Sequence, residues 1–227
     1  MSESKKQKII TKLNNFDNTQ AGNINSVNYR GYLPHFEICS HYQMITYRLN
    51  DSLPAKTLEK LNDAKNNDSE YRKAIETQMD AGHGSSILKE PAIANMIINN
   101  WKYFHIKRYE LIAYVVMPNH VHVLIKLNDN EKLSKIVHSW KSFTSKHFSS
   151  ILKNLNLSSR DAEGNPIKWQ RDYWDRYIRN VDHYLRSIDY IHNNPRHAGI
   201  CSSPDQWPFS SFSSFKSKPG SAGSLPA

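Results

Sequence analysis

Two histidines separated by one valine, His120 and His122, lie inside the apolar run Met117-Pro118-Asn119-His120-Val121-His122-Val123-Leu124-Ile125. β-Branched residues at this density predict a strand, and side chains two apart on a strand share a face. His120 and His122 therefore project side by side with Leu124, while Val121, Val123 and Ile125 point the other way. Two imidazoles held parallel on a stiff strand are part of a metal site that still needs further donors. Downstream, Val181–Asn194 predicts a helix ended by Pro195. Tyr184, Leu185, Ile188 and Ile191 form its apolar stripe. Tyr190 falls roughly 200° from the middle of that stripe, at ~100° per residue. Asn194, four residues on, stacks almost above it, and Arg186, Ser187 and Asn193 share this polar side.

A tyrosine and an amide on one face, added to a histidine pair, suggest a particular chemistry. A phenol is a poor nucleophile at its ordinary pKa of about 10. A divalent metal changes this by polarising a phosphodiester oxygen and stabilising charge on the attacked phosphorus and the leaving oxygen. Attack by tyrosine then forms a covalent phosphotyrosine and frees a 3′-hydroxyl, so cleavage and joining become two reversible transesterifications. Asn194 could supply a neutral oxygen as the third ligand. A site without carboxylates keeps more positive charge for the phosphate. The plain alternative is a surface tyrosine.

The elements that must position these groups form a mixed pattern. His41–Leu49 predicts a first strand, and residues 55 to 79 are helical in composition with a break at Asn66-Asn67-Asp68. Gly82-His83-Gly84 marks a turn, and Glu90-Pro91 opens a helix whose apolar face uses Ile93, Met96, Ile97, Trp101 and Phe104. Tyr109–Met117 is a second strand, turned at Pro118-Asn119 into the His120 strand. Residues 131 to 148 form an amphipathic helix with Leu133, Ile136, Val137, Trp140 and Phe143 inward and Lys135, Lys141 and Lys146 outward. Residues 153 to 168 read as loop, Trp169–Ile178 as a short strand or turn, and Trp207-Pro208-Phe209 as a segment packing back on the domain. This order predicts an α+β protein: an antiparallel sheet with helices against it. Residues 1–28 read as a polar, flexible arm, 29–215 as the domain, and 216–227 as a flexible, linker-like tail.

The chain carries 30 Lys and Arg against 21 Asp and Glu, a formal charge of +9, and 11% aromatic residues. That balance favours a polyanionic partner, with nucleic acid first because bases stack on aromatic rings. No apolar run reaches the ~18 residues of a spanning helix, and the basic start lacks the apolar core of a secretory signal. Cys39 and Cys201 form no metal-ligand spacing, and a reducing cytosol is the simplest compartment. No partner membrane is expected.

His120-Val121-His122 resembles the His-hydrophobic-His signature of the HUH single-tyrosine transposases. Trp169-Gln170, Asp175-Arg176, Ile178-Arg179, Tyr190-Ile191-His192-Asn193-Asn194-Pro195, Ala198-Gly199 and Trp207-Pro208-Phe209-Ser210-Ser211 follow in matching order. Together with Arg30-Gly31-Tyr32-Leu33-Pro34-His35 and Asp51-Ser52-Leu53-Pro54, they resemble the REP-associated tyrosine transposases over about residues 29 to 215. The resemblance implies a ferredoxin-like fold with the histidines on a central antiparallel strand. It implies Mg²⁺ or Mn²⁺ on His120, His122 and Asn194, with Tyr190 as nucleophile. The implied substrate is single-stranded DNA bearing a REP-type hairpin, met in the bacterial cytoplasm and nucleoid. Relatives include monomers and homodimers, and the sequence does not choose.

Rival readings attach to several residues. Tyr173 and Tyr177 are alternative nucleophiles, but their neighbours Trp169, Trp174 and Ile178 favour packing. His192 and His197 are alternative ligands, read as structural or DNA-facing. Arg30, Lys135, Lys141, Lys146, Arg176 and Arg179 are candidate DNA contacts, or else a solvated basic surface. Two other functions compete: a non-catalytic hairpin-binding protein, and a zinc hydrolase acting on nucleotides.

Overall fold

Four strands pair into one antiparallel sheet in the computed structural model, which describes residues 27–30, 33–36, 41–53 and 68–216. A separate hairpin of β1 (Val27–Arg30) and β2 (Leu33–Phe36) precedes the sheet. The sheet strands are β3 (Tyr42–Arg48), β4 (Tyr109–Val116), β5 (His120–Leu127) and β6 (Trp174–Tyr177), in the order β4-β5-β3-β6. The expected arm over 1–28, apart from Val27 and Asn28, most of the helical segment before Asp68, and the tail beyond Lys216 lie outside the described residues.

The helices are α1 (Asp68–Asp80), α2 (Pro91–Tyr103), α3 (Leu133–Asn154), α4 (Val181–His197) and the short α5 (Phe212–Lys216). Helix α2 links β3 to β4 and α3 links β5 to β6, so the sheet strands and these two helices run βαββαβ. With β5 and β3 in the middle, this is the ferredoxin-like arrangement expected from the resemblance. No described helix is long and apolar enough to cross a membrane.

Both faces of the sheet are covered, which is why β4 and β5 read as nearly continuous apolar runs. On one face Val121, Val123 and Ile125 meet α2 and α3 through Ile93, Ile97, Trp101, Ile136 and Trp140. On the other, Tyr42, Met44, Ala113, Val115 and Leu124 meet Tyr184, Ile188 and Ile191 of α4. The period-two alternation of β5 thus sends His120 and His122 to the α4 face with Leu124.

Four aromatic rings of the larger core are linked through their polar tips. Trp101 Nε1 donates to the Tyr47 hydroxyl at 3.1 Å and Trp140 Nε1 to the Tyr109 hydroxyl at 3.0 Å. Tyr109 in turn donates to the Trp101 carbonyl at 2.7 Å. Trp140 stands edge-on to both Trp101 and Tyr109, so its removal opens a cavity and takes away the donor that the Tyr109 hydroxyl accepts from. Trp140→Ala is expected to cost about 3–5 kcal/mol, read as a fall in the denaturant midpoint at unchanged slope.

Three details depart from the sequence reading. Phe143 is 44% exposed, not inward, and Thr144 takes its place in the core with its hydroxyl on the Trp140 carbonyl at 2.8 Å. The buried stripe of α3 steps by four from Trp140 through Thr144, Phe148 and Leu152, and Phe143 falls off it. That same stripe carries α3 on to Asn154, past the expected end at residue 148. Helix α4 runs through Pro195 to His197, because the ring removes one donor in a final turn that still closes with Ala198 N–H on the Asn194 carbonyl at 2.9 Å. Residues 209–211 return along the outer edge of β4, as Val116 N–H to Phe209 and Ser211 N–H to Tyr114 show, and blunt that edge.

Candidate active site

The β4–β5 turn does more than reverse the chain. Asn119 Nδ2 donates to the carbonyls of Met79 at 3.1 Å and His83 at 2.9 Å. Two carbonyl partners fix which end of the amide is nitrogen, so its oxygen is the atom 2.7 Å from His120 Nδ1. An amide oxygen only accepts, and therefore His120 Nδ1 carries the proton and Nε2 presents its lone pair. His122 Nδ1 is held by the Thr46 hydroxyl of β3 at 2.7 Å. The two Nε2 atoms then face each other at 3.2 Å.

Both imidazoles are buried, with His120 1% and His122 0% exposed. Burial, then the neighbouring His122 and the Arg48 guanidinium, hold His120 well below the ordinary histidine value; burial holds His122 at about 3. Neutral imidazoles are the ligand form.

Helix α4 begins at Asn180, whose side chain accepts from His183 N–H at 2.8 Å as an N-cap. Its apolar stripe seats it on the sheet and brings Tyr190 edge-on to His122, ring centroids 5.2 Å apart. The side of α4 read as polar is therefore turned largely inward beside the histidines. Asn194, one turn on, is 1% exposed, and neither its oxygen nor its nitrogen has a hydrogen-bond partner among the described residues. An amide buried so completely costs free energy unless something takes its donor and acceptor.

Among the described residues no three His, Cys, Asp or Glu side chains form a metal cage. Two buried imidazoles with facing Nε2 atoms and an orphaned amide nonetheless fit a divalent ion with positions left open for substrate. Asn119→Ala would free the His120 ring while leaving both imidazoles in place. It is expected to weaken Mn²⁺ binding about 10–100-fold, measured by titration of free Mn²⁺.

The expectation of a carboxylate-free site is not met. Asp80, at the end of α1, places Oδ1 3.6 Å from His120 Nε2, and burial, with Glu76 close by, raises its carboxyl to about 7. Glu76 lines the same cleft as Tyr190. Burial above all, then Glu76 and Asp80, push the Tyr190 phenol above its ordinary value, while Arg176 opposes them. Sequence reasoning also missed Thr46, Arg48 and the role of Asn119. For Thr46 and Arg48 the only signal was that β3 pairs with β5, which places Thr46 opposite His122 and Arg48 opposite His120.

Beside Tyr190 opens a cleft of ≈ 270 Å³, with Arg176, His183, Arg186 and Ser187 on its walls. Arg176 is thus brought to the site, while Arg179 lies over the Tyr177 ring at 5.4 Å. Lys135, Lys141 and Lys146 sit on α3, across the sheet from Tyr190. Lys141 is held by the carbonyls of Gln170 at 2.5 Å and Arg171 at 2.7 Å. The side chain of Arg30 lies outside the described residues. Tyr173 is 8% exposed in the larger core. His192 Nε2 meets the Ser211 hydroxyl at 2.9 Å, and His197 is exposed on the last turn of α4.

Comparison with known proteins follows this geometry. The family model described as "Transposase IS200 like" matches residues 87–194, the stretch that holds both histidines, Tyr190 and Asn194. A REP-associated tyrosine transposase of Escherichia coli K12 is 30% identical over 104 residues, covering 46% of this chain and 54% of that protein. A Haemophilus influenzae Rd protein named as a candidate REP-associated tyrosine transposase is 29% identical over 106 residues, covering 46% of this chain and 59% of its own length. The matched segments thus span little more than half of these relatives. A solved structure described as a REP-associated tyrosine transposase bound to a REP hairpin superposes with a TM-score of 0.51 at 21% identity, covering 85% of this chain and 87% of that one; it shows the shared fold. Over residues 87–194 the chain is similar to the IS200-like transposases, and it resembles the REP-associated tyrosine transposases in sequence and shares the fold of one of them.

Proposed function

We propose that the protein is a metal-dependent endonuclease and strand transferase of single-stranded DNA. It cuts and rejoins beside REP-type hairpins through a covalent 5′-phosphotyrosine on Tyr190, within a catalytic domain spanning residues 29–215. One observation carries the reading: Tyr190 sits against His122 at 5.2 Å, with Asn194 buried and unpartnered one turn along the same helix.

A Mg²⁺ or Mn²⁺ ion held by His120, His122 and Asn194 would supply Lewis-acid stabilisation of the attacked phosphate. The chain's own residues do the rest. Asn119 and Thr46 hold the two imidazoles by Nδ1 and so aim Nε2. The α4 backbone fixes the phenol beside them, which converts attack into an effectively unimolecular step. Arg176 offsets phosphate charge at the cleft. The covalent bond conserves the energy of the cut diester for rejoining. A DNA substrate of this kind places the work in the bacterial cytoplasm, at the nucleoid.

The test is incubation with labelled single-stranded hairpin DNA and Mn²⁺. A protein–DNA adduct stable to denaturation supports the reading. Tight binding without cleavage across varied flanking sequences would favour the hairpin-binding alternative. The zinc-hydrolase alternative has one observation of its own, the Asp80 carboxylate beside His120. It requires stoichiometric zinc in the purified protein and turnover of nucleotides without DNA.

A further inference from the structure

We propose that the end of α2 and the turn into β4 form a DNA-contacting surface, in which Ile106 enters between stacked bases of the DNA hairpin and the Tyr103 ring takes an exposed base face. The proposal rests on the protein binding hairpin DNA. The active-site chemistry leaves both residues unused, and both stand out from the domain: Ile106 is 68% exposed and Tyr103 64%.

The first observation is conformational. Ile106 has a φ of 69°, in the left-handed region, where a β-branched side chain crowds its own backbone. Glycine sits there without that cost. The turn nonetheless holds isoleucine in place from several sides. Its N–H donates to the Tyr109 carbonyl at 2.7 Å, its carbonyl accepts from Asn128 Nδ2 at 2.9 Å, and Arg108 N–H closes on the Phe104 carbonyl at 3.0 Å. Arg108 in turn grips the Glu131 carboxylate with two nitrogens. A side chain that costs the fold at its own position, and meets solvent rather than the core, is explained by what it touches outside.

The second observation is charge. Lys107 Nζ lies 4.5 Å from the centroid of the Tyr103 ring, so this exposed ring carries a cation. Lys102 is exposed on the last turn of α2, and the Arg108–Glu131 pair brings the exposed Lys132 and Lys135 at the start of α3 alongside. With Glu131 neutralised in that pair, these lysines stand against the exposed Asp129. An apolar tip and an aromatic face set among ammonium groups suit bases flanked by phosphates. The third is reach. The turn lies at the end of the sheet away from the histidines, since His120 opens β5 and Leu127 closes it. That strand spans ~23 Å at its ordinary rise, the length of about seven stacked base pairs. One hairpin can therefore meet Tyr190 and the turn together, and the turn adds grip without entering the chemistry.

Ile106→Gly removes the side chain and the strain at once. Its melting temperature without DNA is expected to be no lower than that of the wild type; a fall would show that the side chain serves the fold and would overturn the proposal. Hairpin affinity is read by fluorescence anisotropy of labelled DNA without divalent metal. Ile106→Gly and Tyr103→Ala are each expected to weaken it about 5–150-fold, the range for loss of one stacked base. The slope of log affinity against log salt should stay as it is, because no phosphate contact goes. Tyr103→Phe keeps the ring and should bind like the wild type. Single-turnover adduct formation by Ile106→Gly, at saturating DNA and Mn²⁺, should keep the wild-type rate, and a slower one would overturn the proposal. So would unchanged affinity in Ile106→Gly and Tyr103→Ala, or a wild-type dimer in sedimentation that Ile106→Gly dissolves, the mark of a second copy on this surface. A wild-type protein that binds no hairpin would instead defeat the reading beneath the proposal, and the proposal with it.

Discussion

Tyr190→Phe is expected to abolish the covalent protein–DNA adduct while leaving hairpin affinity nearly unchanged. The substitution removes one oxygen and keeps the ring that stands edge-on to His122, so α4 keeps its seat. What is lost is the atom that bonds to phosphorus. Loss of an obligatory nucleophile costs on the order of 10⁴–10⁶ in turnover, which places the variant below detection. Folding is a weak confounder, since the phenol is relieved of burial rather than a core contact being deleted. A gel-shift titration beside the adduct assay separates the two effects.

The second large effect is expected at the histidine pair. His122→Asn should lower Mn²⁺ affinity by more than the 10–100-fold typical of an outer-shell partner, and slow adduct formation on the order of 10³-fold. That figure corresponds to several kcal/mol of lost Lewis-acid stabilisation. Asparagine keeps a polar group near Thr46, which alanine would strand in a buried site at 6% exposure. Electron paramagnetic resonance of free Mn²⁺ reads the affinity directly, and a thermal melt without metal shows whether the sheet tolerates the change. Equal metal affinity in wild type and variant would remove His122 from the ligand set.

Much of this site was legible in the chain because the alternation of β5 and the periodicity of α4 are local. His120 and His122 share a face by strand geometry alone, and Tyr190 and Asn194 align by helix geometry alone. That the two faces meet is tertiary, and the motif order supplied it through resemblance. The wheel read Tyr190 as pointing away from the core because it saw one stripe, whereas α4 rests on the sheet along a broader arc. The carboxylates of α1 escaped for a different reason. Glu76 and Asp80 are spaced four apart like many solvated pairs, and nothing in sequence says that their helix packs on Leu53 and Trp174 and ends beside His120. The basic residues show the limit of charge as evidence: Arg176 reaches the cleft, while Lys141 is spent on two carbonyls across the sheet.

The most direct test of the central claim is to locate the covalent bond. Trypsin divides the rival tyrosines among separate peptides: Tyr173 in residues 172–176, Tyr177 in 177–179 and Tyr190 in 187–196. After reaction with hairpin DNA and Mn²⁺, then nuclease trimming, mass spectrometry should find the nucleotide on the 187–196 peptide, on Tyr190 through a 5′-phosphate. A nucleotide on either other peptide, or cleavage of the DNA with no modified tyrosine at all, would contradict the account.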